Sequence, residues 1–318
     1  LKIGLIDVDG HNYPNLPLMK LSAWHKSKGD KVEWYDPFLG LMEEYDKVYM
    51  SKVFSFTPDY DRPIYAKEVE KGGSGYCIET VEGREVFHAE RNKNLPDEIE
   101  HIYPDYSIYP EQTKDTAYGF LTRGCPRGCD FCIVKDKEGL CSYKVADLSE
   151  FWNGQKNIVL CDPNILACKE WKDLLQQLID SKAKVDFNQG LDIRMMNEEK
   201  AEMLNQIPIK AIHFAWDRYE DKDLIQPKFK VFREKSSVHP HALQVYTLVG
   251  DRKRCVTEQD LYRIYWLRDN GFAPYVMIYE KYDLPKSHEL KQLQRYVNNR
   301  FIFWSCKDFE EYKKKENK

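Results

Sequence analysis

Cys125, Cys129 and Cys132 lie in the run GFLTRGCPRGCDFCIVK (119–135), a C-x3-C-x2-C spacing that gathers three thiols on a loop rich in Gly, Pro and Arg. A structural zinc site takes four tetrahedral ligands, usually as two close pairs, and no second pair lies nearby. Three thiolates on a cubane iron–sulfur cluster leave one iron open to bind something else, and soft ligands of this kind suit such a cluster. Zinc, or three buried cysteines with no metal, are the alternatives; thiols so close together on such a loop make poor core residues. The other cysteines, Cys77, Cys141, Cys161, Cys168, Cys255 and Cys306, are scattered, and the total of nine is odd. That pattern argues against a disulfide framework and predicts a reducing compartment.

The elements that must position these thiols follow from the hydrophobic pattern. From residue 117 onward, strand-like runs alternate with amphipathic helices, with strands predicted near 117–122, 157–161, 184–188, 210–216, 243–249 and 274–279. One helix carries Trp171, Leu174, Leu175 and Leu178 on a single stripe; another opens with Thr257 as N-cap and closes at Gly271. Six such units predict an α/β fold with an incomplete (βα)6 barrel over 111–280, whose chemistry belongs in the loops beyond the carboxyl ends of the strands. The cysteines follow the first strand. Asp162, Gln189, Asp192, Arg194, Asp217, Gly250, Asp251 and Glu280 follow the other five, although an Asp there is equally a helix N-cap. His213, inside the fourth strand, reads as a packed barrel residue.

Residues 1–110 precede this barrel. The apolar run at 2–8, a helix with Leu18, Leu21 and Trp24 on one face, and strands at 31–36 and 45–51 predict a small doubly wound α/β domain. The stretch 95–110 reads as a connector wrapped on the surface. Residues 281–318 read as a helical tail ending in the solvated lysines of YKKKENK. Over 318 residues the net charge is −4, with 42% apolar and 31% charged residues. Neither a polyanion partner nor a membrane is favoured by that composition, so a soluble, cytoplasmic protein with a small-molecule substrate is expected and nucleic acid is not.

The cysteine triplet after the first of six βα units, with Phe131 just before its last cysteine, resembles the radical S-adenosylmethionine superfamily over about residues 115–280. The resemblance implies a [4Fe-4S] cluster on Cys125, Cys129 and Cys132, with S-adenosylmethionine chelated at the unique iron and cleaved to a 5′-deoxyadenosyl radical. An electron donor such as flavodoxin or ferredoxin is implied with it. Phe131 would then lie near the adenine, Arg194 would fork onto the methionine carboxylate, and Asp162 or Asp217 would accept from the α-ammonium or the ribose. Gly250 would let backbone approach the flat ring.

The first domain resembles vitamin B12-binding domains. DGHNYP (9–14), SFT (55–57) and GGS (72–74) follow that family's D-x-H-x-x-G, S-x-T and Gly-Gly in order. Pro14 stands where the first motif has glycine, and the interval from Ser55 to Gly72 is short, so no bound cobalamin is predicted and His11 is expected to be an ordinary loop or lid residue. The two-part plan without an RNA-binding module is similar to the queuine lyase group. This implies a carbon–nitrogen lyase that releases 7-aminomethyl-7-deazaguanine from queuine, with Gln189, Asp192, Asp217 and Glu280 as candidate substrate contacts. A cobalamin-assisted radical methylase and a methylthiotransferase-like tRNA-modifying enzyme are the alternatives.

Overall fold

The computed structural model describes all residues except 82–83, 252, 282–283 and 317–318. The chain forms two compact units, residues 1–140 with 145–159 and residues 141–144 with 160–318. Among the described residues no helix is long and apolar enough to cross a membrane.

The first unit opens with β1 (Lys2–Asp7), β2 (Lys31–Trp34), β3 (Tyr45–Ser51) and β4 (Ala66–Gly72), a parallel sheet in the order β2-β1-β3-β4. Alternation along β1 sends Ile3 and Leu5 to one face, against Leu18 and Leu21 of the helix Leu16–Ser27, and Ile6 to the other, beside Val48 and Met50. That helix begins where the predicted face requires: the Asn15 side chain accepts from the Leu18 amide at 3.3 Å, and the chain turns out at Gly29 with φ +81°. The fourth strand is absent from the sequence reading because its charged residues face water with no apolar period. Lys47 of β3 holds it from the adjacent strand, reaching Glu68 and Glu70 at 2.8 and 2.7 Å. A short antiparallel hairpin follows, β5 (Ile78–Val81) and β6 (Arg84–Phe87).

The connector at 95–110 is anchored in the core, contrary to the expectation of a surface wrap. Ile99 packs with Ile3 and Leu5, and Tyr109 is 1% exposed. Its hydroxyl donates to Asp7 at 2.6 Å. Aromatic rings between prolines supply apolar area that composition alone does not distinguish from a linker.

The remaining strands are β7 (Thr116–Gly119), β8 (Thr122–Arg123), β9 (Tyr143–Lys144), β10 (Asn157–Leu160), β11 (Lys184–Leu191), β12 (Ile209–Ala215), β13 (Leu243–Val249) and β14 (Ala273–Ile278). Six of them form one parallel sheet in the order β14-β13-β12-β11-β10-β7, which places the chain in the α/β class. The four strands β11 to β14 lie within the second unit. Their helix side is apolar: Phe214 of β12 meets Phe229 and Phe232 of the helix Lys222–Lys235 edge to face. The Thr257 cap forms as predicted, in a capping box with Asp260, and Gly271 turns the chain with φ +78°. Leu174, Leu175 and Leu178 are buried, while Trp171 is half-buried beneath the Lys200 ammonium.

β11 is longer than the sequence pattern suggested, because it carries an irregularity. Phe187 faces Ile212 and Leu191 faces Phe214, so four steps along β11 match two along β12, and Gly190 takes φ +107° within the surplus. The C-terminal stretch is helical, and its helices are packed. Helices Glu289–Asn298, Arg300–Ser305 and Phe309–Glu316 bury Leu293, Tyr296, Phe303, Phe309 and Tyr312 against Val276 and Ile278 of β14. Lys314 and Lys315 face solvent as expected, Lys315 pairing with Glu311 at 2.7 Å; the end of the predicted tail, 317–318, lies outside the described residues.

Candidate functional site

Two regions carry the residues singled out above. The first is the cysteine loop, which belongs wholly to the first unit. Gly119 ends β7 as glycine because the Phe151 ring occupies the space a side chain would need. The loop turns through Gly124 and Gly128, at φ +75° and +56°, and is closed at its base by Glu138. One Glu138 oxygen accepts from the Gly124 amide at 2.9 Å and the other from Arg123 at 3.0 Å, while the Arg123 guanidinium lies 3.3 Å from the centre of the Phe120 ring. The Cys125 amide donates to the Gly139 carbonyl at 3.3 Å, and the Cys132 amide to the Cys129 carbonyl at 3.1 Å.

All three thiols are partly exposed, as is Phe131, and no disulfide forms among the described residues, which include all nine cysteines. The donor chemistry suits a soft metal or an iron–sulfur cluster: three thiols, partly accessible, on one loop with a fixed base. Among the described residues no group of three or more His, Cys, Asp or Glu side chains is gathered to hold a metal ion.

The second region is the carboxyl end and inner face of β11 to β14. Asp192 caps the turn Ile193–Met195, and one of its oxygens accepts from the Arg194 amide at 3.1 Å and from Arg194 Nε at 2.7 Å; Arg194 Nη1 reaches Asp221 at 2.9 Å. Arg194 is thus clamped by two carboxylates, which leaves Nη2 for any further anion, and Asp192 is engaged with it. Asp162 is buried, and Gln189 is exposed within the irregular part of β11. The Asp217 carbonyl accepts from Arg263 at 2.6 Å. At Gly250, φ is +81° and a Cβ would come within 2.9 Å of Leu290, so this glycine has a turn and packing role in the fold. Glu280 adopts the left-handed conformation at φ +46°, with its carboxylate 3.9 Å from Arg254.

Arg263 escaped the sequence reading because a single Arg on an amphipathic helix looks like surface. It is buried, and it donates to the Trp216 and Asp217 carbonyls at 2.7 and 2.6 Å, the Leu248 carbonyl at 2.8 Å and Asp260 at 2.6 Å. One guanidinium therefore fixes where the chain leaves β12 and β13.

The inner face was also missed. On β11 to β14 the residues that alternate with the helix-packed ones include Asp186 and Asn188, then Ala211, His213 and Ala215, then Gln244 and Tyr246, then Tyr275, with the apolar Leu248 and Met277 further along the last two strands. His213 is half-buried here, more open than a packed barrel residue. Its Nδ1 is 2.9 Å from the Phe187 carbonyl, which can only accept, so the neutral ring carries its proton on Nδ1 and offers Nε2 as a lone pair. The ring stacks on Tyr246 at 5.2 Å and 8°, and Tyr246 meets Tyr275 edge-on at 5.9 Å. Burial raises the Asp186 carboxyl above its ordinary range, against the pull of His213 and Lys210, and pushes the Tyr246 phenol up to about 12. The period-two alternation in KVDFNQGL and LQVYTLV is the signal that would have found this face.

In the first unit His11 stacks on Trp34 at 4.1 Å and 29°, and Ser74 of the GGS run accepts from Lys137 at 2.5 Å. No protein-family model matches the chain, and no curated protein matches it in sequence.

Proposed function

We propose that the protein is a radical S-adenosylmethionine enzyme acting on a small molecule, with a carbon–nitrogen lyase reaction on queuine as its most specific form. The observation that carries this reading is the C-x3-C-x2-C loop directly after the first strand of a six-stranded parallel sheet. Cys125, Cys129 and Cys132 would hold the [4Fe-4S] cluster. A cluster bound there would supply the electron for reductive cleavage of S-adenosylmethionine, the source of the radical that such chemistry needs.

The chain's own part is positioning. Glu138 and Arg123 keep the base of the cysteine loop closed, and Phe131 offers an apolar surface beside its last cysteine. Arg194 Nη2 is the remaining donor for a carboxylate, and Asp162, Asp217 and Glu280 are acceptors for ammonium or hydroxyl groups. Arg263 holds the chain beyond β12 against β13, so Asp217 needs little reorganisation when a ligand binds.

The test is anaerobic reconstitution followed by iron and acid-labile sulfide analysis. About four of each per chain are expected, and loss of both on Cys125→Ala, Cys129→Ala or Cys132→Ala. Stoichiometric zinc without labile sulfide would end the reading. Incubation of the reduced protein with S-adenosylmethionine and queuine should give 7-aminomethyl-7-deazaguanine together with 5′-deoxyadenosine; queuine recovered intact would remove the lyase assignment alone.

A further inference from the structure

The inner face of β11 to β14 holds three features that no packing role explains together. Asp186 has an oxygen shut off from water with no hydrogen-bond partner among the described residues. An unmet acceptor of this kind is costly when nothing donates to it, and donors from a ligand relieve that cost. Two rows away, His213 offers Nε2 as a second acceptor, with the small residues Ala211 and Ala215 on either side of it leaving the face uncrowded. The His213, Tyr246 and Tyr275 rings form a continuous aromatic wall across three strands, and Tyr275 remains 36% exposed. Acceptors beside an aromatic wall select a flat ligand that brings its own N–H donors.

We propose that this face binds a planar heteroaromatic ring through an edge carrying two adjacent N–H donors, with Asp186 reading the edge and His213, Tyr246 and Tyr275 bounding the ring. The edge is the amidine-like one of a 2-amino-oxopyrimidine. A carboxylate meets it with both oxygens, as it meets a guanidinium. The inference deepens the proposed function by naming what would recognise a 7-deazaguanine base, and it rests on that reading only for the identity of the substrate.

Titration calorimetry on the full chain, without reductant or S-adenosylmethionine, tests it with 7-deazaguanine, adenine and xanthine as probes. The wild-type protein should bind 7-deazaguanine and discriminate against adenine, which lacks the paired donors. Asp186→Asn should weaken 7-deazaguanine by about 10- to 100-fold, the range for one charge-assisted contact. The same substitution turns the two acceptors into an acceptor and a donor, which complements the N–H and carbonyl of xanthine. Xanthine binding should therefore rise in that variant, a gain that misfolding cannot imitate. Absence of 7-deazaguanine binding, equal affinity for all three probes, or an Asp186→Asn protein with unchanged preference would overturn the proposal. Failures separate cleanly: base binding without any labile sulfide sinks the radical chemistry and spares the site, whereas cluster-dependent cleavage of S-adenosylmethionine without base binding does the reverse.

Discussion

The cysteine loop and the end of the β11 to β14 sheet are built on opposite principles. The loop has its distinctive residues in its thiols, which stay partly exposed, and the contacts described for it lie in its backbone and in the Glu138 that closes its base. The sheet end is held by side-chain contacts throughout. Arg263 spans two strand exits, Asp192 and Asp221 clamp Arg194, and the Phe187 carbonyl sets the tautomer of His213. Metal ligands can be gathered by the strength of metal–thiolate bonds, whereas neutral contacts to an organic ligand are too weak to reorganise a sheet and must be preformed.

If that contrast holds, stability should be far more sensitive at the sheet end. The largest effect is expected for Arg263→Met, which leaves Asp260 buried without its cation and three backbone carbonyls without their donor. Denaturant unfolding should show a loss of about 3–5 kcal/mol. A loss under 1 kcal/mol would show that the strand exits are held by something else. Arg194→Leu should cost about 1–3 kcal/mol by taking the guanidinium from Asp192 and Asp221, with Arg194→Lys recovering only part because an ammonium cannot serve two carboxylates as a fork does.

Asp7 tests whether the first unit is free of such commitments. Burial raises its carboxyl to about 6 from an ordinary 3.8, with the Tyr109 hydroxyl opposing the rise. The folded chain therefore holds this proton more tightly than the unfolded chain. The resulting stability is fully present below the ordinary value and is lost as pH rises between about 4 and 6. Asp7→Asn should abolish that slope and, with the effect about halved for the water that still reaches the group, stabilise the protein by about 1–2 kcal/mol at pH 7. An unchanged pH dependence of the melting temperature would refute the assignment. The smallest effect belongs to the cysteine loop: Cys129→Ser should alter unfolding of the metal-free protein by no more than about 0.5 kcal/mol.

Legibility in the sequence followed the same divide. β13 falls on its predicted residues, 243–249, because aliphatic residues alternate along it and polar residues bound it. β4 was invisible, since lysines and glutamates held by cross-strand pairs carry no apolar period. The tail was legible as helical, but that Tyr296, Phe303 and Phe309 pack together was not read from it. Within the site, the thiols announced themselves by spacing and the strand-end acids by position. Arg263, His213 and Asp186 did not, because their significance lies in which neighbour faces them across a strand or under a helix, and one sequence does not state that pairing.

The irregularity in β11 has a consequence for how such a chain can change over generations. Between Phe187 and Leu191 the surplus over β12 is two residues, an even number, so both return to the buried side and the layer beneath this part of the sheet is indifferent to whether the surplus is there. A paired deletion or insertion between these two positions alters the contour above the sheet while every core partner keeps its place. An odd one would turn the end of the strand inside out. Residues 188–190 are thus a place where length itself is a variable, able to widen or narrow the space beside Asp186 and Tyr246 without a new fold having to be found.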